Sequence, residues 1–211
     1  MKKHILYFSC LLISFCNNET SAQKKNAGDR AAERDKITVL YPEIKFDLNE
    51  YKNAVAFGTS SIKGVLFTKE KNSLGIKPLL GAKTFGQSLT VTIFPVTSYF
   101  QAWYDLRENK ENKRTLVYMS EEAFKYRMVT TTDDYGRFLF EKLKPGKYFL
   151  QAFMDVNFEH SRQVVVGTAN NQYGGTTTYL GNENYLKQQS ERLEKFVEID
   201  TDGEIVEVKL K

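Results

Sequence analysis

Side chains that could support catalysis are few in this sequence. It contains two histidines, His4 and His160, and two cysteines, Cys10 and Cys16. A zinc peptidase needs several ligands at fixed spacing, typically two histidines and a glutamate, and no H-E-x-x-H pattern occurs. There is also no G-x-S-x-G nucleophile motif and no phosphate-binding glycine loop. We therefore predict a protein that is not an enzyme and has no catalytic residues, cofactor or metal, with His160 in a loop or at a strand end.

Two acidic segments, residues 133–134 and 200–204, could suggest calcium binding. Neither has the regularly spaced oxygen ligands of a twelve-residue calcium loop. The second contains Asp202-Gly203, and Asp-Gly is a preferred pair in tight hairpin turns. We predict that both segments are turns, the second a type I′ turn joining the last two strands as a hairpin.

A segment rich in Tyr, Asn, Gly and Thr, residues 170–185, is the best candidate for ligand binding. Tyrosine offers a large contact area and asparagine offers both donors and acceptors. We interpret the segment as a long surface loop; the alternative is that residues 176–179 form a strand pairing with residues 162–166. The candidate ligand-binding residues are Tyr173, Tyr179, Tyr185, Asn171 and Asn182. Trp103 could also stack on a sugar ring, but its spacing with Tyr99 and Leu106 favours packing of a helix onto a sheet.

The elements that would hold such a surface are strands. Apolar residues recur at every second position in residues 137–141, 147–154 and 87–94, as in strands with one face on a core. Gly136 and Pro145-Gly146 supply the turns between them. The predicted core positions are Phe138, Phe140, Tyr148, Leu150, Ala152, Met154, Leu89, Val91 and Ile93.

Residues 131–150 also resemble a known family. The pattern T-x-D-x-x-G-x-F-x-F-x-x-L-x-P-G-x-Y-x-L, with an upstream Ile62-Lys63-Gly64-Val65-Leu66, is similar to the carboxypeptidase regulatory-like domains. The resemblance covers residues 60–211 and implies a mainly β fold: an antiparallel prealbumin-like β-sandwich of about seven strands, similar to starch-binding sandwiches. Because functions within such folds vary widely, the family name implies no peptidase activity.

Helices are predicted around this sandwich. Asp47 has capping-box spacing to Glu50 and predicts a short helix to about Ala54 within an N-terminal extension, residues 36–59, which also contains a strand. Ser98 predicts the start of an inserted helix that ends near Asn109, and residues 120–124 predict a second short one.

The N-terminus indicates export. Lys2 and Lys3 precede a short apolar run, and small residues precede Gln23, so residues 1–22 are predicted to be a signal peptide and residues 23–35 a flexible leader. The alternative is an outer-membrane lipoprotein acylated at Cys16, which Phe15 disfavours because that position normally needs a small side chain. We predict a periplasmic or extracellular protein.

Composition limits the class of partner. The net charge is +4 and basic residues are interspersed with acidic ones, which disfavours nucleic-acid binding. No further apolar run approaches the roughly 20 residues of a transmembrane segment. We predict a binding or interaction module of the bacterial envelope whose partner is an envelope protein or a glycan in trans. The alternative function is that of a carbohydrate-binding module.

Overall fold

The structure, a computed structural model, describes residues 36–211. These residues form ten strands and three helices. In chain order they are β1 (Thr38–Leu40), α1 (Leu48–Ala54), β2 (Ser60–Lys69), β3 (Lys83–Phe85), β4 (Thr90–Pro95), α2 (Ser98–Lys110), β5 (Thr115–Val117), α3 (Glu121–Lys125), β6 (Met128–Thr131), β7 (Arg137–Leu143), β8 (Gly146–Asn170), β9 (Thr176–Ile199) and β10 (Ile205–Leu210).

Two four-stranded sheets enclose the main core. The first pairs β2 with β10, β7 and β3, and the second has the order β6-β4-β8-β9. Ile62 and Leu66 of the first sheet meet Val91, Ile93 and Leu150 of the second, and all five are fully buried. The predicted mainly β, sandwich-like fold class is thereby confirmed.

The turn between β6 and β7 is where the sequence predicts it, and it carries the chain from the second sheet to the first. Gly136 has φ +73°, and its amide donates to the carbonyl of Asp133 over 2.9 Å. The Asp133 carboxylate accepts hydrogen bonds from the amides of Tyr135 and Arg137, which lower its pKa. Asp133 therefore stabilises the turn.

The predicted hairpin between the last two strands is wrong. β10 pairs with β2 in parallel, from Ile205 opposite Ser61 to Leu210 opposite Leu66, so the turn before it carries the chain from one sheet to the other. The turn is not type I′ either, because that type needs positive φ at both central residues and only Gly203 has it. The physical reason is burial: on β2, the chain buries Val208 and Leu210 against the core.

The predicted helices are present. Asp47 caps α1 by accepting from the amide of Asn49, but Glu50 does not complete a capping box; it accepts instead from the amide and hydroxyl of Ser98. The cap of α2 is therefore Thr97, one residue earlier than predicted.

Helix α2 covers the outer face of the second sheet. Phe100 and Trp103 are buried there against Phe149, with ring centroids 5.1 and 6.3 Å from it. The Trp103 indole donates to the carbonyl of Val117 over 3.2 Å. Trp103 thus packs its helix onto the sheet, as its spacing indicated, and the strands beneath are buried on both faces.

Candidate functional site

Strands β8 and β9 continue far beyond the sandwich as a two-stranded ribbon. β8 pairs with β4 only from Tyr148 to Ala152, whereas its register with β9 runs to Asn170 opposite Thr176. We call residues 157–188 the arm. At about 3.3 Å per residue, the arm projects about 45 Å.

The predicted loop at residues 170–185 is wrong, and the strand alternative is confirmed. β9 begins at Thr176, so the connection contains only residues 171–175. The pairing partners differ from those expected, because Thr176 to Tyr179 lie opposite residues 167–170. Thr and Tyr, which make up residues 176–179, are residue types favoured in strands, whereas the Asn and Gly content had indicated a loop.

The structure places the five candidate residues along the arm rather than together. Tyr173 is in the tip turn, where the Asn171 side chain accepts from the amides of Tyr173 and Gly175. Tyr179 and Tyr185 share one face but are about 20 Å apart, and Asn182 is on the opposite face. A ligand role for these residues stays a prediction, and a single sugar ring could not contact both tyrosines.

The arm contributes nothing to either hydrophobic cluster of the described chain. Its large apolar side chains, Val165, Val166, Leu180 and Leu186 among them, are exposed. The outer edge of β9 pairs with no other strand within residues 36–211. β8 carries a bulge between Val165 and Gly167, whereas the long edge of β9 is regular.

Polar contacts fix the arm to the body at its base. Glu70, just after β2, accepts from Lys187 over 3.0 Å and lies 2.7 Å from Nε2 of His160. The Gln189 side chain accepts from the amide of Lys71 and donates to the carbonyl of Lys69. His160 is therefore within β8, not in a loop or at a strand end as predicted, and its partner here is a structural carboxylate.

A buried carboxylate completes this base cluster of Glu70, Lys71, Lys187, Gln189 and Glu191. Glu191 binds Lys71 at 2.8 Å, Lys77 at 2.9 Å and the hydroxyl of Thr68. Burial raises the pKa of Glu191, but these hydrogen bonds outweigh burial and bring the pKa from 4.5 down to about 2. The start of the arm is consequently held in one position.

A second candidate surface is a cleft of about 500 Å³ on the outer face of the second sheet, between α2, β5 and α3. Its aromatic lining includes Trp103, Tyr118 and Phe153, and its polar lining includes Glu111, Gln151 and Arg192. Sequence analysis missed this cleft. The one feature of the sequence that could have indicated it is Phe153, an aromatic residue on the outward face of a strand.

Paired charges make up the polar wall of the cleft. Arg192 contacts the Glu111 carboxylate at 3.1 Å, and Arg107 makes a bidentate contact with Glu194 at 2.7 and 2.6 Å. The Arg107 guanidinium is buried over the rings of Trp103 and Tyr104, 4.7 and 4.9 Å from their centroids. This wall offers hydrogen-bonding groups whose positive and negative charges are paired with each other.

The described residues contain no group of three or more His, Cys, Asp or Glu side chains that could hold a metal ion. None of the helices in residues 36–211 is long and apolar enough to cross a membrane. The arm and the cleft offer contact surfaces and hydrogen-bonding groups, and these can support binding.

No protein-family model and no curated protein matches the chain. Among solved structures, the chain is similar to a proposed carbohydrate-binding protein from Pseudomonas aeruginosa, with 21% identity and a TM-score of 0.47. The alignment covers 79% of this chain and 97% of that one. At these values the likeness assigns neither a family nor a function.

Proposed function

We propose that this protein is a non-enzymatic, exported binding module that uses the arm to hold a protein partner. The observation that carries the proposal is the arm itself, a long ribbon that buries nothing in the core. An isolated two-stranded ribbon is marginally stable in water. A long unpaired edge strand is also a template for pairing with another chain. Both facts favour an arm that functions by binding a partner, which covers its exposed edge.

The outer edge of β9 is the surface best suited to this partner. An extended segment of another protein can add to such an edge, with main-chain hydrogen bonds giving affinity and alternate side chains giving specificity. The edge of β9 has no bulge, whereas the bulge in β8 interrupts the opposite edge. Exposed Tyr179, Leu180, Tyr185 and Leu186 would supply apolar contacts on both faces.

Site-specific photocrosslinking in the native host tests this proposal. A photoreactive phenylalanine analogue at Leu180 or Leu186 should give an adduct with one protein partner. The matched control is the same analogue at Tyr135, which is 67% exposed in a turn of the body. A variant whose residues 162–183 are replaced by Asn-Gly should lose the interaction while keeping the base cluster. Identical adducts from the body position, or none from the arm, would contradict the proposal.

Carbohydrate binding by the arm tyrosines is the alternative. The combined variant Tyr173→Ala, Tyr179→Ala, Tyr185→Ala separates the two hypotheses on a glycan array. Our proposal expects the variant to lose contact with the protein partner and to leave any glycan binding unchanged. A glycan signal that disappears in this variant would favour the alternative.

Export and family remain part of the proposal. The signal peptide and leader, residues 1–35, are outside the described residues. The resemblance to carboxypeptidase regulatory-like domains rests on the motif around Gly136, and the sandwich fold is compatible with it. Intact mass of the protein from the native host tests the localisation: we expect a species that begins at Gln23, whereas an acylated species beginning at Cys16 would show a lipoprotein.

A further inference from the structure

The cleft between α2, β5, α3 and the outer face of the second sheet carries a separate inference. We infer that it binds a neutral, hydroxyl-rich ring ligand, a hexose unit of a glycan. This activity is independent of the arm, because no arm residue lines the cleft.

The size and apolar surface of the cleft suit a small ligand. Its volume of about 500 Å³ falls within the range typical of ligand sites, about 300–1,000 Å³. Phe153 is 63% exposed and Tyr118 is 50% exposed, although both lie beside the buried aromatic cluster of Trp103. Such rings offer flat apolar surfaces on which one face of a ligand can stack.

The charges of the cleft favour a neutral ligand. The four charged lining residues are Arg107, Arg192, Glu111 and Glu121, two of each sign. Arg192 is paired with Glu111, and Arg107 with Glu194 behind the wall. An anionic ligand would have to displace Glu111 or Glu194 from its arginine, which is costly for the buried Arg107.

The same wall disfavours a purely apolar ligand. A hydrocarbon would remove water from Arg192, Glu111 and Gln151 without replacing its hydrogen bonds, which costs about 1–3 kcal/mol per unsatisfied group. Hydroxyl groups both donate and accept, so they can bind arginine donors and carboxylate acceptors side by side. A hexose combines hydroxyls on its edge with an apolar C–H face, and so satisfies both walls.

Calorimetric titration with maltotetraose, cellotetraose and chitotetraose tests the inference. At least one should bind, and Phe153→Ala and Tyr118→Ala should each weaken binding by about tenfold or more. The matched controls are Phe57→Ala and Tyr135→Ala, which remove rings outside the cleft that are more exposed than the two cleft rings, at 87% and 67%, and should bind as the parent protein does.

Two further measurements distinguish the possible reasons for a loss of sugar binding. The variant with residues 162–183 replaced by Asn-Gly should bind the same sugar with unchanged affinity, so a loss there would move the site to the arm. Thermal melting of each variant confirms that it is folded. The inference is overturned if none of the three sugars binds at about 10 mM. Equal affinity in the cleft variants and their controls would also overturn it.

Discussion

The inner and outer halves of strands β8 and β9 pair with each other in the same antiparallel way, but only the inner halves belong to the hydrophobic core. In the inner half, Tyr148, Leu150, Ala152 and Met154 alternate with outward residues and are buried. In the outer half the pairing of β8 with β9 continues to Asn170, but none of residues 157–170 belongs to a hydrophobic cluster of the described chain. Strand pairing therefore maintains the ladder, whereas only tertiary packing produces burial. Stability should therefore be concentrated in the inner half.

Two glycines with similar backbones give the largest expected contrast. Gly136 in the body has φ +73°, and a Cβ there would lie 2.4 Å from the carbonyl oxygen of Leu66. Gly174 at the arm tip has φ +81° and has no neighbour within 4 Å. We expect Gly136→Val to cost at least about 4 kcal/mol of unfolding free energy, because steric conflict adds to backbone strain.

Gly174→Val is the control for that variant, since it introduces the same strain in open space. The arm tip can relieve the strain by fraying, so global stability should change by less than about 0.5 kcal/mol. Chemical denaturation of both variants measures the difference. Equal destabilisation would show that the arm is part of the cooperative unit.

Truncating an aromatic ring gives the next largest contrast. Phe140 belongs to the core shared by the two sheets, and Phe140→Ala should cost about 3–5 kcal/mol. Tyr179 on the arm is 54% exposed, and Tyr179→Ala should change stability by no more than about 0.5 kcal/mol. A large effect of Tyr179→Ala on the melting temperature would mean that the isolated protein already covers the arm, for instance by self-association.

Hydrogen exchange tests the same contrast without mutation. Amides paired between β4 and β8, such as those of Ile93 and Leu150, should exchange only through global unfolding. Amides paired only within the arm, around Val165 and Leu180, should exchange through local opening and at least about a thousandfold faster. Uniform protection along the whole of β8 would contradict the proposed division.

The sequence predicted the body because burial leaves a periodic signal. Phe138 and Phe140 are large apolar residues at every second position, and both are buried, while Leu139 between them is exposed. Gly136 occupies the turn that the pattern requires. The arm could not be predicted in this way, because both of its faces are exposed and mixed in polarity. Its Asn-rich and Gly-rich composition therefore indicated a loop, although Thr176 to Tyr185 pair as a regular strand.

Two other errors have a similar physical origin. The partner of β10 depends on which edge of β2 is free, and that is a property of the assembled sandwich rather than of Asp202-Gly203. The cleft is formed by side chains distant in sequence, such as Glu111, Gln151 and Arg192. Local periodicity predicts that Trp103 is buried, but it carries no information about which residues meet beside it.

The smallest expected effect is on the local stability of the arm base, where the arm joins the body. The pKa of Glu191 is about 2 in the folded protein and has its ordinary value of 4.5 in the unfolded chain, so the folded state binds this proton less readily than the unfolded state. The stabilisation it gives is present above pH 4.5 and is lost as the pH falls toward 2. Protection from hydrogen exchange in residues 70–82 and at the arm base, expressed relative to the intrinsic exchange rate at each pH, should fall over this interval. Glu191→Gln should show the faster exchange already at pH 7, because the neutral amide cannot form an ion pair with Lys71 or Lys77.

Glu207→Gln, which removes an exposed carboxylate 2.9 Å from Lys63, is the matched control and should leave the arm base unchanged. If the protection of the arm base in the parent protein, relative to the intrinsic exchange rate, is constant between pH 5 and 2, then the arm is held by β-pairing alone and Glu191 does not fix it to the body.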